Sequence, residues 1–221
     1  MKILLVSATQ SEITPLLKKF RKISANGNIS SFRFEKKSID VLITGVGMTA
    51  MAFHLGKILN KKYDLAINAG VAGSFRKNIP LGTVVNVVSD CFADLGAEDG
   101  KRFLTLNEMG LPEFKHRKQK ERSGKNLRNI LSVLPRVKGI TVNTAHGNKA
   151  SIRKVIKKFD PDIESMEGAA FFLACNHEKI SCVQVRAISN YVEKRNKKKW
   201  KFDLAASQLA SSLEKILSKL Q

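Results

Sequence analysis

"KILLVSATQSEITPLLKKF", residues 2–20, changes its periodicity in the middle. Residues 2–8 form a short apolar run, which reads as a buried strand, whereas the stretch after it, with Thr9 as N-cap and Pro15 inside the early turns, reads as a helix to about Phe20. The same switch recurs outward along the chain. "SFRFE" (31–35) and "IDVLITG" (39–45) look like paired strands, "MTAMAFHLGKILN" (48–60) like a helix, and "DLAINAG" (64–70) and "TVVNVVSD" (83–90) like strands. Later come the strand "GITVNTA" (139–145), the basic helix "ASIRKVIKKF" (150–159), the strand "DIESM" (162–166), a helix from Glu167, the strand "SCVQVRAIS" (181–189) and a terminal helix over 203–220. Strands alternating with helices predict a mainly parallel sheet covered on both faces. Loops are expected at 9–12, 70–74 and 189–193, at the strand ends where open α/β sheets collect ligands.

The 221 residues, 43% of them apolar, suffice for one large domain, and neither a linker nor a repeat divides them. The apolar run at the N-terminus is too short for a signal peptide and no run of about 18 apolar residues exists, so a soluble, cytoplasmic protein is expected. Cys91, Cys175 and Cys182 lack metal-ligand spacing and read as buried free thiols. Thirty-nine Lys and Arg against nineteen Asp and Glu give a net charge of +20. The cations are scattered, without interleaved aromatics, which favours solvated faces over a nucleic-acid track. Such a mantle also steers anionic small molecules.

Two glycine-bearing stretches follow strands, "TGVGMTA" (44–50) and "NAGVAGS" (68–74). Small residues there, Ala72 and Gly73 among them, let backbone N–H groups approach a ligand, and neither stretch has the spacing of a dinucleotide fingerprint. In "SMEGAAFFLAC" (165–175), Glu167 precedes a run bound for the core. An acid there is either a helix-start residue favoured by the dipole or a ligand-facing group held by the helix behind it.

Taken in order, "VSATQSE", "TGVGMTAM", "NAGVAGS", "DIESMEGAAFFLAC" and "VRAISNYV" resemble the purine nucleoside phosphorylase and nucleosidase superfamily over nearly the whole chain. The ending "RAISNYVEKRNKKKW" (186–200) is most similar to its futalosine hydrolase branch, which removes hypoxanthine from futalosine in a menaquinone route. Methylthioadenosine/S-adenosylhomocysteine nucleosidase and phosphorylase are the alternatives. The resemblance implies a three-layer nucleoside phosphorylase-like domain with a central mixed, mainly parallel sheet flanked by helices. It also implies a homo-oligomer that needs no cofactor or metal and acts on a small nucleoside.

By the same resemblance Met166 packs on the ribose and Glu167 accepts from its 2′- and 3′-hydroxyls, stabilising an oxocarbenium-like state. Glu12 is the expected general base for the attacking water; a carboxylate there would repel the phosphate a phosphorylase needs. Its alternative is an exposed acid of the first helix. Asn190 stands where adenosine-type relatives carry an aspartate. Its amide donates to the O6 of a 6-oxopurine, which a carboxylate would repel, so it is the expected base-recognition and catalytic residue. Arg195, with Arg102 as a second source, is the expected partner of the benzoate that futalosine carries. No aromatic stands in "AHGNKASI" (145–152), leaving Phe92, Phe159 and Tyr191 as candidates to stack on the base. His146 is either a base contact or a loop histidine. A neighbouring subunit is expected to close the pocket through 92–114, with Phe103 and Pro112 as candidates.

Overall fold

In the computed structural model, which describes residues 1–60, 62–111 and 119–220, the opening stretch folds into β1 (Lys2–Ser7) and α1 (Gln10–Leu17). The apolar run of β1 buries both its faces. Ile3 and Leu5 pack in one cluster with Ile13 and Leu16 of α1 and with Leu209 and Leu213 of α6 (Phe202–Lys219). Leu4 and Val6, one residue out of phase, meet Met51 and Leu55 of α2 (Met48–Ile58) and Phe171 and Phe172 of α5 (Gly168–His177). Period-two alternation along one strand thus builds the three layers, helix, sheet and helix. Helix α1 stops at Leu17 and not at Phe20, where the chain tightens into turns with Lys19 N–H donating to Leu16 O and Phe20 N–H to Leu17 O.

The sheet runs β2 (Arg21–Asn26), β3 (Ile29–Phe34), β4 (Lys37–Ile43), β1, β5 (Leu65–Ser74), β12 (Cys182–Tyr191), β6 (Val84–Asp90), β10 (Arg136–Thr141) and β11 (Ile163–Ser165), in the reverse of the order found from the β11 edge. It is mixed: parallel from β4 through β1 and β5 to β12, antiparallel at β12–β6, and parallel again to β11. β11 then pairs with β5 through Ile163↔Ser74 and Glu164↔Gly73, so five strands close into a ring. A short β9 (Gln119–Lys120) pairs with β6, and β7 (Gly96–Asp99) and β8 (Arg102–Thr105) form a separate hairpin. Two more helices complete the fold, α3 (Lys125–Leu131) and α4 (Lys149–Phe159). In α4 the Asn148 side chain caps the start by accepting from Ala150 N–H at 2.8 Å.

Three of the expected loops are not loops. Residues 10–12 already belong to α1, and β5 runs unbroken through 70–74. β12 continues to Tyr191, with a register shift between Ile188 and Asn190 that leaves Ser189 as an extra residue. Such a bulge turns the strand and re-aims the side chain that follows it, here Asn190. Cys175 and Cys182 are buried free thiols, whereas Cys91 is only half-buried. Among the described residues no helix is long and apolar enough to cross a membrane.

Candidate active site

Glu12 is fixed by the helix it begins. Its Oε2 accepts from Thr9 N–H (2.9 Å), Thr9 Oγ1 (3.0 Å) and Ser7 Oγ (3.2 Å), closing a capping box at the start of α1. Oε1 accepts from Val71 N–H of β5 at 2.9 Å, which ties the helix start to the glycine-bearing strand. The side chain is buried, so the exposed helix acid weighed from the sequence is excluded.

Beside it lies a residue the sequence reading missed. Arg186 on β12 is fully buried, its Nε donating to Gln184 Oε1 at 2.9 Å and its Nη2 lying 3.6 Å from Glu167 Oε2. A Cβ at Gly70 would collide with Arg186 Nη1 and come within 2.8 Å of Glu12 Oε1, so a side chain here would displace both charged groups. Gln184 continues the chain of bonds, donating at 3.1 Å to Asp90, which also accepts from Thr141 Oγ1 at 2.9 Å. Complete burial pushes Asp90 up to about 6 against the pull of Gln184, Thr141 and Arg186. A lone cation in the otherwise apolar "SCVQVRAIS" was the available signal for Arg186: buried in a sheet, it requires carboxylate partners.

Glu167 is the N-cap residue of α5, but its carboxylate does not cap the helix. It turns instead to Gly47, whose N–H donates to Oε1 at 3.0 Å, and to Arg186. Gly47, at φ 104°, holds a backbone that other residues avoid. Burial raises the Glu167 carboxyl above its ordinary value, Arg186 and the Gly47 N–H oppose this, and the nearby Glu12 adds to it. The two glycine-bearing segments therefore each direct one backbone N–H at one carboxylate.

A cavity of about 730 Å³ adjoins these acids through Val71 and Met166; Glu12, Glu167 and Arg186 themselves lie behind its lining. Ala72, Gly73, Met166, Asn190 and Arg195 all line it, together with Val71, whose N–H holds Glu12. Asn190 accepts from Ser189 Oγ (2.8 Å) and donates to Tyr191 O (3.1 Å), leaving its second amide hydrogen and a lone pair. A Cβ at Gly73 would lie 3.1 Å from Asn190 Nδ2, so the glycine makes room for that amide. Arg195 sits at the mouth with its guanidinium 5.7 Å from the Trp200 ring, while neighbouring Lys77 is held by Glu193 at 2.7 Å.

Other sequence candidates fall elsewhere. Of the three stacking candidates only Tyr191 lines this cavity; its ring lies 4.0 Å below Lys77 Nζ, and Trp200 is the further aromatic there. Phe92 packs against the α2–α5 core and Phe159 borders a second cavity of about 600 Å³. Arg102 and Phe103 line that second cavity too, because the β7–β8 hairpin carries them away from Arg195. Pro112 lies outside the described residues. His146 is no free loop histidine: its Nδ1 meets Glu164 Oε2 at 2.7 Å, and both residues line the main cavity.

A family model described as the phosphorylase superfamily matches residues 2–220. Futalosine hydrolase of Streptomyces coelicolor is 27% identical over 195 residues, 82% of this chain and 80% of that one. 5′-Methylthioadenosine/S-adenosylhomocysteine nucleosidase of Buchnera aphidicola is 26% identical over 235 residues, 99% of this chain and 97% of its own. In fold, the chain is similar over its whole length to the native futalosine hydrolase of Helicobacter pylori, with a TM-score of 0.83 at 19% identity and 98% of that chain covered. The match across residues 2–220 establishes that the chain belongs to the phosphorylase superfamily.

Proposed function

We propose that this protein hydrolyses the N-ribosidic bond of a 6-oxopurine nucleoside, futalosine first, releasing hypoxanthine. The observation that carries the hydrolytic half is Glu12. The Val71 N–H that an inorganic anion would need already donates to its carboxylate, and a second negative group beside it would be repelled in a buried site. Glu12 takes the proton of the attacking water, while Glu167 accepts from the ribose hydroxyls and offsets the positive charge that develops on the sugar. Met166 packs on the ribose, and the backbone at Ala72 and Gly73 borders it. Arg186, buried behind the cavity, places Nη2 3.6 Å from Glu167 Oε2 as the counter-charge of that carboxylate.

Base choice rests on Asn190. Its remaining amide hydrogen suits O6, and its remaining lone pair suits a protonated N7. Relatives named futalosine hydrolase support that choice, and the exposed cations at the cavity mouth, Arg195 and Lys194, suit an anionic substituent on the far side of the ribose. The deciding experiment incubates the protein with futalosine, methylthioadenosine and inosine, with and without phosphate, and assays the free base. Hypoxanthine from futalosine, at a rate indifferent to phosphate, is the expected result. Preference for methylthioadenosine would promote the nucleosidase alternative, and ribose 1-phosphate formed only with phosphate would promote the phosphorylase.

A further inference from the structure

The cavity contains an acid–base pair with no part in the chemistry so far. His146, in the loop after β10, lines both the main cavity and the second one, and Glu164 of β11 holds it twice: Oε1 accepts the His146 backbone N–H at 3.0 Å and Oε2 meets ring Nδ1 at 2.7 Å. Phe75 flanks the ring edge-on, with centroids 6.3 Å apart. A carboxylate only accepts, so the Nδ1 proton is fixed on the Glu164 side and Nε2 is left for another partner. Nε2 has no hydrogen-bond partner among the described residues. Glu164 pairs with Gly73 across the β5–β11 ladder, and a Cβ on Gly73 would lie 3.6 Å from Glu164 Cγ and 3.1 Å from Asn190 Nδ2. Glu164 and the base-selecting amide thus crowd one point.

The chemistry asks for a proton there. Cleaving the bond between C1′ and N9 sends its electron pair into the purine, which leaves far more readily once N7 is protonated. Asn190 cannot supply that proton, because an amide has no titratable hydrogen near neutrality. Among the other cavity-lining groups, Lys77 and Lys199 are both held by Glu193, Lys194 and Arg195 are exposed at the rim, and the Tyr191 hydroxyl is turned to Lys77 O at 3.3 Å. An imidazole, by contrast, is the commonest proton donor in such roles.

Building on the hydrolytic reading above, we propose that His146 is the general acid for the departing base and that Glu164 is its positioning residue. The protonated ring gives its Nε2 hydrogen to N7 as the C1′–N9 bond breaks. Water adds to C1′ and loses its proton to Glu12, so the products are the neutral base and the free sugar. Solvent then reprotonates His146 and accepts the proton from Glu12. Glu164 sets the tautomer and orientation of the ring and supplies the counter-charge of its protonated form.

The test compares His146→Gln and Glu164→Gln with the wild type on inosine and on 7-methylinosine, whose base already carries the charge that protonation would create. His146→Gln should lower kcat on inosine and futalosine by about 10²–10⁴-fold while 7-methylinosine changes by less than about threefold. Glu164→Gln should show the same substrate selectivity with a smaller loss. Equal losses on both substrates would assign the pair to structure, and near-wild-type turnover of inosine by His146→Gln would remove the acid role; either result overturns the proposal. A wild type that cleaves methylthioadenosine and not futalosine would instead overturn the base assignment. The His146 comparison is then made on methylthioadenosine against its own 7-methyl derivative.

Discussion

β1 and β12 are both parallel neighbours of β5, one on each side, and they solve burial in opposite ways. β1 places Ile3 and Leu5 on one face and Leu4 and Val6 on the other, so over these four residues helices cover it with apolar contact. β12 sends Val183, Val185 and Ala187 to the α6 side in the same manner, but the alternate residues include Gln184 and Arg186, both fully buried. Those two connect Asp90, Glu167 and the region of Glu12 into one network. Apolar packing holds β1 with no individual partner essential. Polar burial is tolerable at β12 only because nearly every group in it is matched, which is the condition of a preorganised site.

Removing the central cation should break the contrast most severely. Arg186→Met would leave Glu167 and Asp90 buried without their counter-charge, at a cost of about 3–5 kcal/mol, and would abolish turnover. The β1 counterpart, Leu5→Ala, is expected to cost about 2–5 kcal/mol through its cavity. Denaturant titration across pH separates the two: the Arg186→Met penalty should shrink in acid as the carboxyls protonate, and the Leu5→Ala penalty should stay level. Matching pH profiles would erase the distinction between the regions.

Glu12→Gln should lower kcat by about 10²–10⁴-fold with little loss of stability, since the amide oxygen still accepts from one of the backbone donors. Near-wild-type turnover would reassign the base. Asp90 gives the next effect. Its carboxyl is raised from 3.8 to about 6 in the folded protein, so the stability tied to its protonated form is complete below about 4 and lost as pH rises through about 6, in all about 3 kcal/mol. Asp90→Asn should flatten that stretch of the stability curve measured by thermal or denaturant unfolding. An unchanged slope would mean that Asp90 does not titrate there. The smallest effect belongs to the exposed rim. Arg195→Ala should raise KM for futalosine by about two- to fivefold, the weight of an exposed ion pair, and leave inosine unchanged; equal effects on both would make Arg195 ordinary surface charge.

Legibility follows the same division. The apolar runs of β1, β4 and β6 and the amphipathic α4 were readable because local pattern and burial agree there. β2 was missed because all six of its residues are exposed, although Asn26-Gly27, with Gly27 at φ 56°, is the turn signal of the hairpin that pairs it with β3. The glycines at 70 and 73 read as a loop, because from sequence a glycine signals a turn. In the fold they lie within β5 and clear space for Arg186, Glu12, Asn190 and Glu164. Glu12, Met166, Glu167 and Asn190 could be singled out from their motifs. Arg186 left only the signal of a lone cation in an apolar strand, and the pairing of His146 with Glu164 left none, because both depend on contacts across 18 or more residues that only the closed ring brings together.

The base-selecting role proposed for Asn190 is tested most directly by Asn190→Asp. A carboxylate in that position replaces the amide donor with an acceptor and sets it against O6, so kcat/KM for futalosine should fall on the order of 10²-fold or more. The same group suits a 6-amino purine, so methylthioadenosine cleavage should fall less, or rise. The measurement is the ratio of kcat/KM for the two substrates in wild type and variant. The account predicts a wild type that favours futalosine and a variant whose ratio moves toward methylthioadenosine. A wild type that favours methylthioadenosine, or a ratio that does not move, would contradict it.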